Sequence, residues 1–193
     1  QILGKTYDID RPEVIAVHLT GKPRPGVGPQ DVALTLIGEV FASGFVKNRI
    51  VEFVGDGIAN LSVDYRIGID VMTTESACLS SIWMTDERVH EWLTVHGRGD
   101  AYTALAPEDG ALYDGAVEID LSKVESMIAL PFHPSNVYSI KELNENLDDI
   151  LAKVEAEGTK MLPDGVRFTL RDKVRGGRLY AQQGIIAGCA GGG

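Results

Sequence analysis

The sequence predicts an α/β fold, with a mostly parallel sheet in a three-layer α/β/α arrangement. Three observations lead to this prediction. Short β-branched apolar runs alternate with longer segments whose apolar residues recur at helical spacing. Loops rich in glycine and proline separate the two kinds of segment. The order strand, helix, strand, helix, strand, helix in the first half of the chain favours parallel strands covered by helices on both faces.

The first half of the chain contains three strand-and-helix units. The run EVIAVHL is rich in β-branched residues and predicts a buried strand, which the prolines and glycines of TGKPRPGVG end. Pro29 stands where a helix can begin, and Ser62 can cap the second helix. The predicted elements are strands over residues 13–19, 49–54 and 79–83, and helices over 29–44, from Ser62 onward, and over 86–96.

The second half is less regular. A strand is predicted over residues 116–121, and PFHP at 131–134 ends the next short run. A polar helix is predicted over 139–158, with Gly158 as its stop. A linker over 161–178 and a last strand over 179–187 follow. The predicted organisation is a lead-in segment over 1–20, an α/β domain over 21–135, and a connecting part with the first strand of a following domain over 136–193.

Composition excludes several classes of function. The chain has 193 residues, 44% of them apolar, and a formal net charge of -10. Nucleic acid is therefore a poor partner, because a phosphate-tracking surface would work against the overall field. No apolar run reaches the length of a membrane span, and no signal pattern is present. With only two cysteines far apart, the sequence is typical of a reduced, cytoplasmic protein.

The stretch LSVDYRIGIDVMTTESACLSSIW, residues 61–83, contains the most informative candidate residue. It predicts a helix running into a short strand, with Glu75 among small and apolar neighbours near the helix end. If Glu75 is desolvated, its raised pKa suits general acid or base catalysis. The alternative is a carboxylate that points into solvent at a helix end. Both interpretations stay open at this point.

Other candidate residues have weaker patterns. Cys189 follows an apolar run within small residues and could expose a thiolate to a metal, or it could be a small buried thiol. Arg98, in a glycine-flanked turn, could orient an acidic substrate group or lie on the surface. The four histidines show no metal-ligand spacing. Gly55-Asp56-Gly57 matches neither nucleotide-binding glycine motif.

Taken together, these segments resemble the aconitase family of iron–sulfur hydro-lyases over nearly the whole chain. The resemblance lies in VIAVHLTGK, in GVGPQDVALTLIGEVFASGFVKNRIVEFVGDGIANLS, and in a Met followed three positions later by a Glu, here Met72 and Glu75. Arg88, Gly97-Arg98, VEIDLS and PFHP at 131–134 fit the same order. The chain looks like a middle portion of such a protein, roughly its second domain and the entry to the third.

The resemblance implies a site and a cofactor. In the family a 4Fe–4S cluster is held by three thiolates, and its open iron acts as a Lewis acid on the hydroxyl of a hydroxy-carboxylic acid. Glu75 would then be the catalytic carboxyl, and Val71, Met72 and Arg98 would contact substrate. Cys189, in IIAGCAGGG, would be one cluster ligand. The other two would lie beyond Gly193, so we expect the fragment alone to hold no cluster and to be inactive.

Two positions depart from the family pattern. Val71 replaces the Asn that usually precedes the Met, and Gly188-Cys189-Ala190-Gly191 replaces the usual Ser-Cys-Thr-Asn around the first ligand. These departures motivate an alternative, a non-catalytic ligand-binding or scaffold α/β domain of an aconitase-like protein. Expected partners are a small hydroxy di- or tricarboxylic acid and the remaining domains of the parent chain. The sequence leaves open which hydroxy acid is used.

Overall fold

A four-stranded parallel sheet forms the centre of the structure, a computed structural model that describes residues 4, 6 and 8–187. The strands are β1 (Val14–Thr20), β2 (Ile50–Val54), β3 (Ser80–Trp83) and β4 (Gly115–Asp120). Their order across the sheet is β3-β2-β1-β4, and all three pairings are parallel. The predicted fold class is therefore confirmed: helices flank a parallel sheet.

Three helices accompany this sheet: α1 (Pro29–Val40), α2 (Val63–Asp70) and α3 (Glu87–Val95). Pro29 is the first residue of α1, and the Gly28 N–H donates to the Asp31 carboxylate at 2.7 Å. Side-chain caps start the other two helices: Ser62 for α2, as the sequence predicts, and Asp86 for α3. Helix α1 ends four residues before the predicted Gly44, because the chain turns there with Gly44 at a φ of 65°.

A hydrophobic cluster holds α1 and α2 to one face of the sheet. Side chains of β1 and β2 that point to this face are fully buried, including Val17 and Phe53, both 0% exposed. Ile69 of α2 joins the same cluster. Gly55 follows β2 at a φ of 107°, and a Cβ there would lie 2.3 Å from the Leu19 carbonyl oxygen. The glycine therefore permits a close backbone crossing over β1.

A second cluster lies beyond α1. The antiparallel strands β5 (Met127–Ala129) and β6 (Val137–Ser139) pack on α1, and α4 (Ile140–Glu145) and α5 (Leu147–Met161) follow. Five apolar residues recur at helical spacing along the predicted polar helix, and all of them are buried: Leu143, Leu147, Ile150, Leu151 and Val154. The helix is nevertheless interrupted at Asn146. The short run that PFHP ends contains β5, but no sequence pattern indicated β6 or the hairpin.

Three predictions for the C-terminal region are wrong. Gly158 does not stop α5, because the helix runs on to Met161 and Gly158 packs under Phe168. The predicted linker contains a 3₁₀ turn, Arg171–Lys173, and a hairpin of β7 (Val174–Arg175) and β8 (Arg178–Leu179). No strand continues over 181–187, whose side chains are exposed. An apolar run without neighbouring strands in reach does not form a sheet.

Glu155 fastens the C-terminal turn to α5. Its carboxylate accepts the Leu170 and Arg171 N–H groups at 2.6 and 2.7 Å, and the Arg171 guanidinium Nε at 2.8 Å. The backbone N–H groups of Arg171 and Leu170 hold the pKa of the Glu155 carboxyl below its ordinary value. A lowered carboxyl pKa stabilises the fold at neutral pH, and this contribution is lost as pH falls through the folded-state pKa.

We therefore expect Glu155→Gln to lower the melting temperature at pH 7 and to have a progressively smaller effect below the ordinary pKa of 4.5. Thermal unfolding of both proteins between pH 7 and pH 3 measures this. Glu157→Gln, an exposed change on the same helix, is the matched control. A Glu155→Gln deficit that stays constant down to pH 3 would contradict the assignment.

Candidate active site at the turn before β3

Glu75 lies in the 3₁₀ turn Thr73–Ser76, which connects α2 to β3. Helix α2 carries the chain back from the carboxyl end of β2, so this turn lies at the amino edge of the sheet. Backbone hydrogen bonds confirm the position. The Asn48 N–H donates to the Ala77 carbonyl at 3.0 Å, and the Leu79 N–H donates to the Arg49 carbonyl at 2.8 Å.

The structure brings Val71, Met72 and Glu75 together on one short segment. Val71 caps the C-terminus of α2, and its N–H donates to the Ile67 carbonyl. Met72 is partly buried against the main hydrophobic cluster. The Glu75 N–H donates to the Met72 carbonyl at 3.1 Å, and the Glu75 side chain is exposed. The sequence left open whether the Glu75 carboxyl is desolvated or faces solvent. No described residue buries the Glu75 side chain, which faces solvent.

Buried polar side chains hold the turn in place. Thr73 and Ser76 are 5% and 2% exposed, and the Ser76 hydroxyl donates to the Thr73 carbonyl at 2.5 Å. The Cys78 thiol donates to the same carbonyl at 3.3 Å. Ala77 ends the turn in the left-handed region at a φ of 61°, which costs a residue with a Cβ about 1–2 kcal/mol. Surrounding contacts therefore hold the turn in one conformation.

Sequence reasoning missed the residue that closes this segment. Asp70, the last residue of α2, accepts hydrogen bonds through one carboxylate oxygen from the Ser81 hydroxyl at 2.7 Å and from the Trp83 indole at 2.8 Å. The feature of the sequence that could have identified Asp70 is its negative charge at the predicted end of the helix. A carboxylate at a helix C-terminus lies at the negative end of the helix dipole, so it needs compensating donors.

A second missed feature is the buried cation Arg66. Its side chain is 4% exposed and donates to the Ile58 and Leu61 carbonyls, both at 3.1 Å, and to the Asp86 carboxylate at 2.5 Å. Arg66 thus ties α2 to the N-terminus of α3. Its Nε and Nη1 atoms make no hydrogen bond to any described residue.

Arg98 is not brought to Glu75. It follows α3, is exposed, and donates its backbone N–H to the Leu93 carbonyl at 2.8 Å. Among residues 8–187, no hydrogen bond or ion pair joins Arg98 to the 71–75 segment. Residues of α2 and α3, including Asp64, Arg88 and Trp92, line a shallow cavity of about 470 Å³.

Asp120 ends β4 at the carboxyl edge of the sheet, the edge at which α/β proteins commonly bind ligands. The Ser122 N–H and hydroxyl donate to one oxygen of Asp120 at 3.0 and 2.6 Å. These bonds hold the pKa of Asp120 below its ordinary value. A groove of about 1020 Å³ beside β4 and α1 does not include Val71, Met72 or Glu75.

The predicted cluster ligand Cys189 lies outside the described residues, as do Gly188, Ala190 and Gly191. Within the described part of the chain, no three His, Cys, Asp or Glu side chains are grouped as a metal site. Cys78 is the cysteine of this part, and its thiol is turned to the Thr73 carbonyl. The described residues therefore do not form an iron–sulfur site among themselves. No helix among them is long and apolar enough to cross a membrane.

Comparison with known proteins supports the same relationship. The model of the aconitase family (aconitate hydratase) matches residues 1–193. The 3-isopropylmalate dehydratase large subunit of Clostridium kluyveri is 35% identical over 134 residues, 69% of this chain and 31% of that protein. The corresponding subunit of Elusimicrobium minutum is 30% identical over 143 residues, 74% of this chain and 34% of that protein.

A relative with a different named substrate matches the same extent of chain. The 2,3-dimethylmalate dehydratase large subunit of Eubacterium barkeri is 32% identical over 134 residues, 69% of this chain and 31% of that protein. The chain thus spans about a third of the length of these relatives. Because the family model matches every residue, the chain belongs to the aconitase family.

Proposed function

We propose that the protein containing this chain is an iron–sulfur hydro-lyase that reversibly removes water from a hydroxy di- or tricarboxylic acid. The observation that carries the proposal is the family match over the whole chain, with relatives named as dehydratases of 3-isopropylmalate and 2,3-dimethylmalate. The substrate class follows from those names as an inference for this protein.

Glu75 is the proposed proton carrier at the leaving hydroxyl. Dehydration breaks a C–O and a C–H bond. A base from another domain of the full-length protein would take the C–H proton, and hydroxide leaves more easily when a neighbouring acid protonates it to water. An exposed carboxyl on an anchored turn suits this task, because its side chain is open to a ligand while its backbone is fixed. In the hydration direction the same carboxylate takes the proton back.

Three further residues belong to the proposal as substrate contacts. Val71 and Met72 precede Glu75 on the same segment and would present apolar surface to the carbon skeleton of the substrate. Arg98 is exposed, and its guanidinium is of the kind that pairs with a carboxylate. Because Arg98 is not in contact with the 71–75 segment, its role depends on where the other domains hold the substrate.

The proposed cofactor is a 4Fe–4S cluster in the full-length protein, with Cys189 as one of its ligands and the others supplied by the remaining domains. The described residues supply no ligand set for it. Because the remaining cluster ligands would come from other domains, we propose that the 193-residue chain alone holds no cluster and does not turn over. The proposed setting is the cytoplasm, with no nucleic-acid or membrane partner, in keeping with the net charge of -10.

The test is anaerobic reconstitution of the full-length protein with iron and sulfide, followed by a panel of hydroxy diacids and triacids and their unsaturated products. We expect reversible formation of a conjugated double bond, measured by ultraviolet absorbance, with at least one compound. The 193-residue chain, treated identically, is expected to show neither a cluster absorption band nor activity. A full-length protein that binds a hydroxy acid without converting it would favour the non-catalytic alternative.

A further inference from the structure

Asp70 and its two hydrogen-bond donors link the two ends of the segment that carries Glu75. One Asp70 oxygen accepts from both Ser81 and Trp83, so the end of α2 is joined directly to β3. The Asp70 carbonyl also accepts the Thr73 hydroxyl at 2.8 Å, and that hydroxyl lies 3.3 Å from the Ser81 hydroxyl. The chain from 71 to 80 is therefore a loop tied together at both ends.

Trp83, one of the two donors, is anchored in the core. The Trp83 ring stacks on Phe53 with centroids 4.0 Å apart and planes 10° from parallel. Phe53 is completely buried in β2. The Trp83 indole N–H is thus held at a fixed point. Its hydrogen bond to the Asp70 carboxylate fixes the end of α2 relative to β3.

The placement of Asp70 is unfavourable for the helix by itself. An acidic residue in the last turn of a helix faces the partial negative charge of the unsatisfied carbonyls. A neutral or basic residue there would suit α2 better. The Asp70 carboxylate therefore stabilises the following loop, although it destabilises α2, the helix that it ends.

We propose that Asp70 is a positioning residue for Glu75: by bridging to Ser81 and Trp83 it sets the distance and direction from which the Glu75 carboxyl reaches the substrate. This inference rests on the proposed function of Glu75. Asp70 does not touch the substrate, and it acts through the loop between its carboxylate and β3. Displacing a catalytic group by about 1 Å can reduce turnover about a hundredfold, so loosening the loop should be visible in kcat.

Substitutions at Asp70 in the reconstituted full-length protein test this. Asp70→Ala removes the acceptor, and we expect kcat to fall about tenfold or more, with a smaller change in KM. Asp70→Asn keeps an acceptor oxygen at the same position, so kcat should stay within about threefold of the unsubstituted protein. Trp83→Phe keeps the ring on Phe53 and removes one donor, and we expect an intermediate loss.

The matched control is Asp64→Ala. Asp64 also accepts an indole N–H, that of Trp92 at 3.3 Å, and it lies on the same helix as Asp70 but at its beginning. We expect its kcat and KM to be unchanged. Near-ultraviolet circular dichroism establishes whether each variant is folded. If Asp70→Ala does not fold, Asp70→Asn and Trp83→Phe decide, and unchanged kcat in Trp83→Phe would overturn the proposal.

A double-substitution cycle separates positioning from general stability. If Asp70 acts only through Glu75, Asp70→Ala should cause almost no further loss in a Glu75→Gln background. An equal loss in both backgrounds, or an Asp70→Asn variant as impaired as Asp70→Ala, would overturn the positioning role while leaving the role of Glu75 intact. Full activity of Glu75→Gln alone would instead contradict the proposed function, and the inference with it.

Discussion

Replacing Glu75 by Gln in the full-length protein is expected to reduce kcat by about 10²–10⁴-fold, the range for loss of a general acid or base. Gln has nearly the same shape and keeps the hydrogen-bonding capacity of the side chain, but it cannot carry a proton. Because the side chain is exposed and the backbone of the turn is held by Asn48 and Arg49, the fold should be unaffected. Steady-state kinetics with the best substrate of the panel measures the loss.

Glu91→Gln provides the control for this change. Glu91 is an exposed carboxylate on α3, and its replacement makes the same change in net charge. We expect it to keep its kcat and KM. Equal activities of Glu75→Gln and Glu91→Gln would contradict a proton-transfer role for Glu75. A large rise in KM with unchanged kcat for Glu75→Gln would show that the carboxylate binds substrate but does not transfer the proton.

Asp86→Asn is expected to lower the free energy of unfolding by about 3 kcal/mol, the low end for breaking a buried ion pair. Arg66 has a side chain only 4% exposed, and Asp86 is its charged partner. The Asn side chain can still cap α3, since the Asp86 carboxylate accepts the Val89 N–H at 3.3 Å. The loss would thus come from leaving the Arg66 charge buried and unpaired. Equilibrium unfolding in urea measures it.

The origin of that loss can be checked in an Arg66→Met background. Methionine removes the buried charge, so Asp86→Asn should then cost less than about 0.5 kcal/mol, the usual range for surface changes. Glu87→Gln, which affects an exposed pair with His90 on the same helix, is the matched control and should also stay within that range. An Asp86→Asn cost that is the same in the unsubstituted and the Arg66→Met backgrounds would contradict the buried-pair explanation.

The parallel sheet was predictable from sequence because local patterns determine it. The strands around Val17 and Phe53 are β-branched-rich or apolar runs, and each is followed by a helix with its own cap or an N-terminal proline. A strand between two crossover helices has few alternatives to parallel pairing. The β5–β6 hairpin was missed because its strands are three residues each, too short for alternation to be recognised.

The last third of the chain shows where local patterns fail. The apolar residues Ile185 and Ile186 suggested a strand, yet they are 90% and 88% exposed, because no described strand lies beside them to pair with. Asn146 interrupts a segment whose apolar stripe runs through both α4 and α5. Helical periodicity continues across such a break, so the residue pattern alone predicts one helix.

The candidate site was predictable only in part. The position of Glu75 just before β3 follows from the helix-to-strand order, and its surroundings do not. The contacts of Asp70 with Ser81 and Trp83 span 11 and 13 residues and depend on how α2 returns to the sheet. The Arg66–Asp86 pair likewise joins two helices 20 residues apart in sequence. Such contacts are set by tertiary packing, which residue spacing does not contain.

We propose that this chain contributes Glu75 to a dehydration and hydration reaction. Incorporation of oxygen-18 from labelled water into the hydroxyl group of the substrate, measured by mass spectrometry on the reconstituted full-length protein, tests it most directly. We predict incorporation by the unsubstituted protein, and incorporation about 10² times slower or more by a folded Glu75→Gln variant. No incorporation with any hydroxy acid of the panel, or equal rates in the two proteins, would contradict the claim.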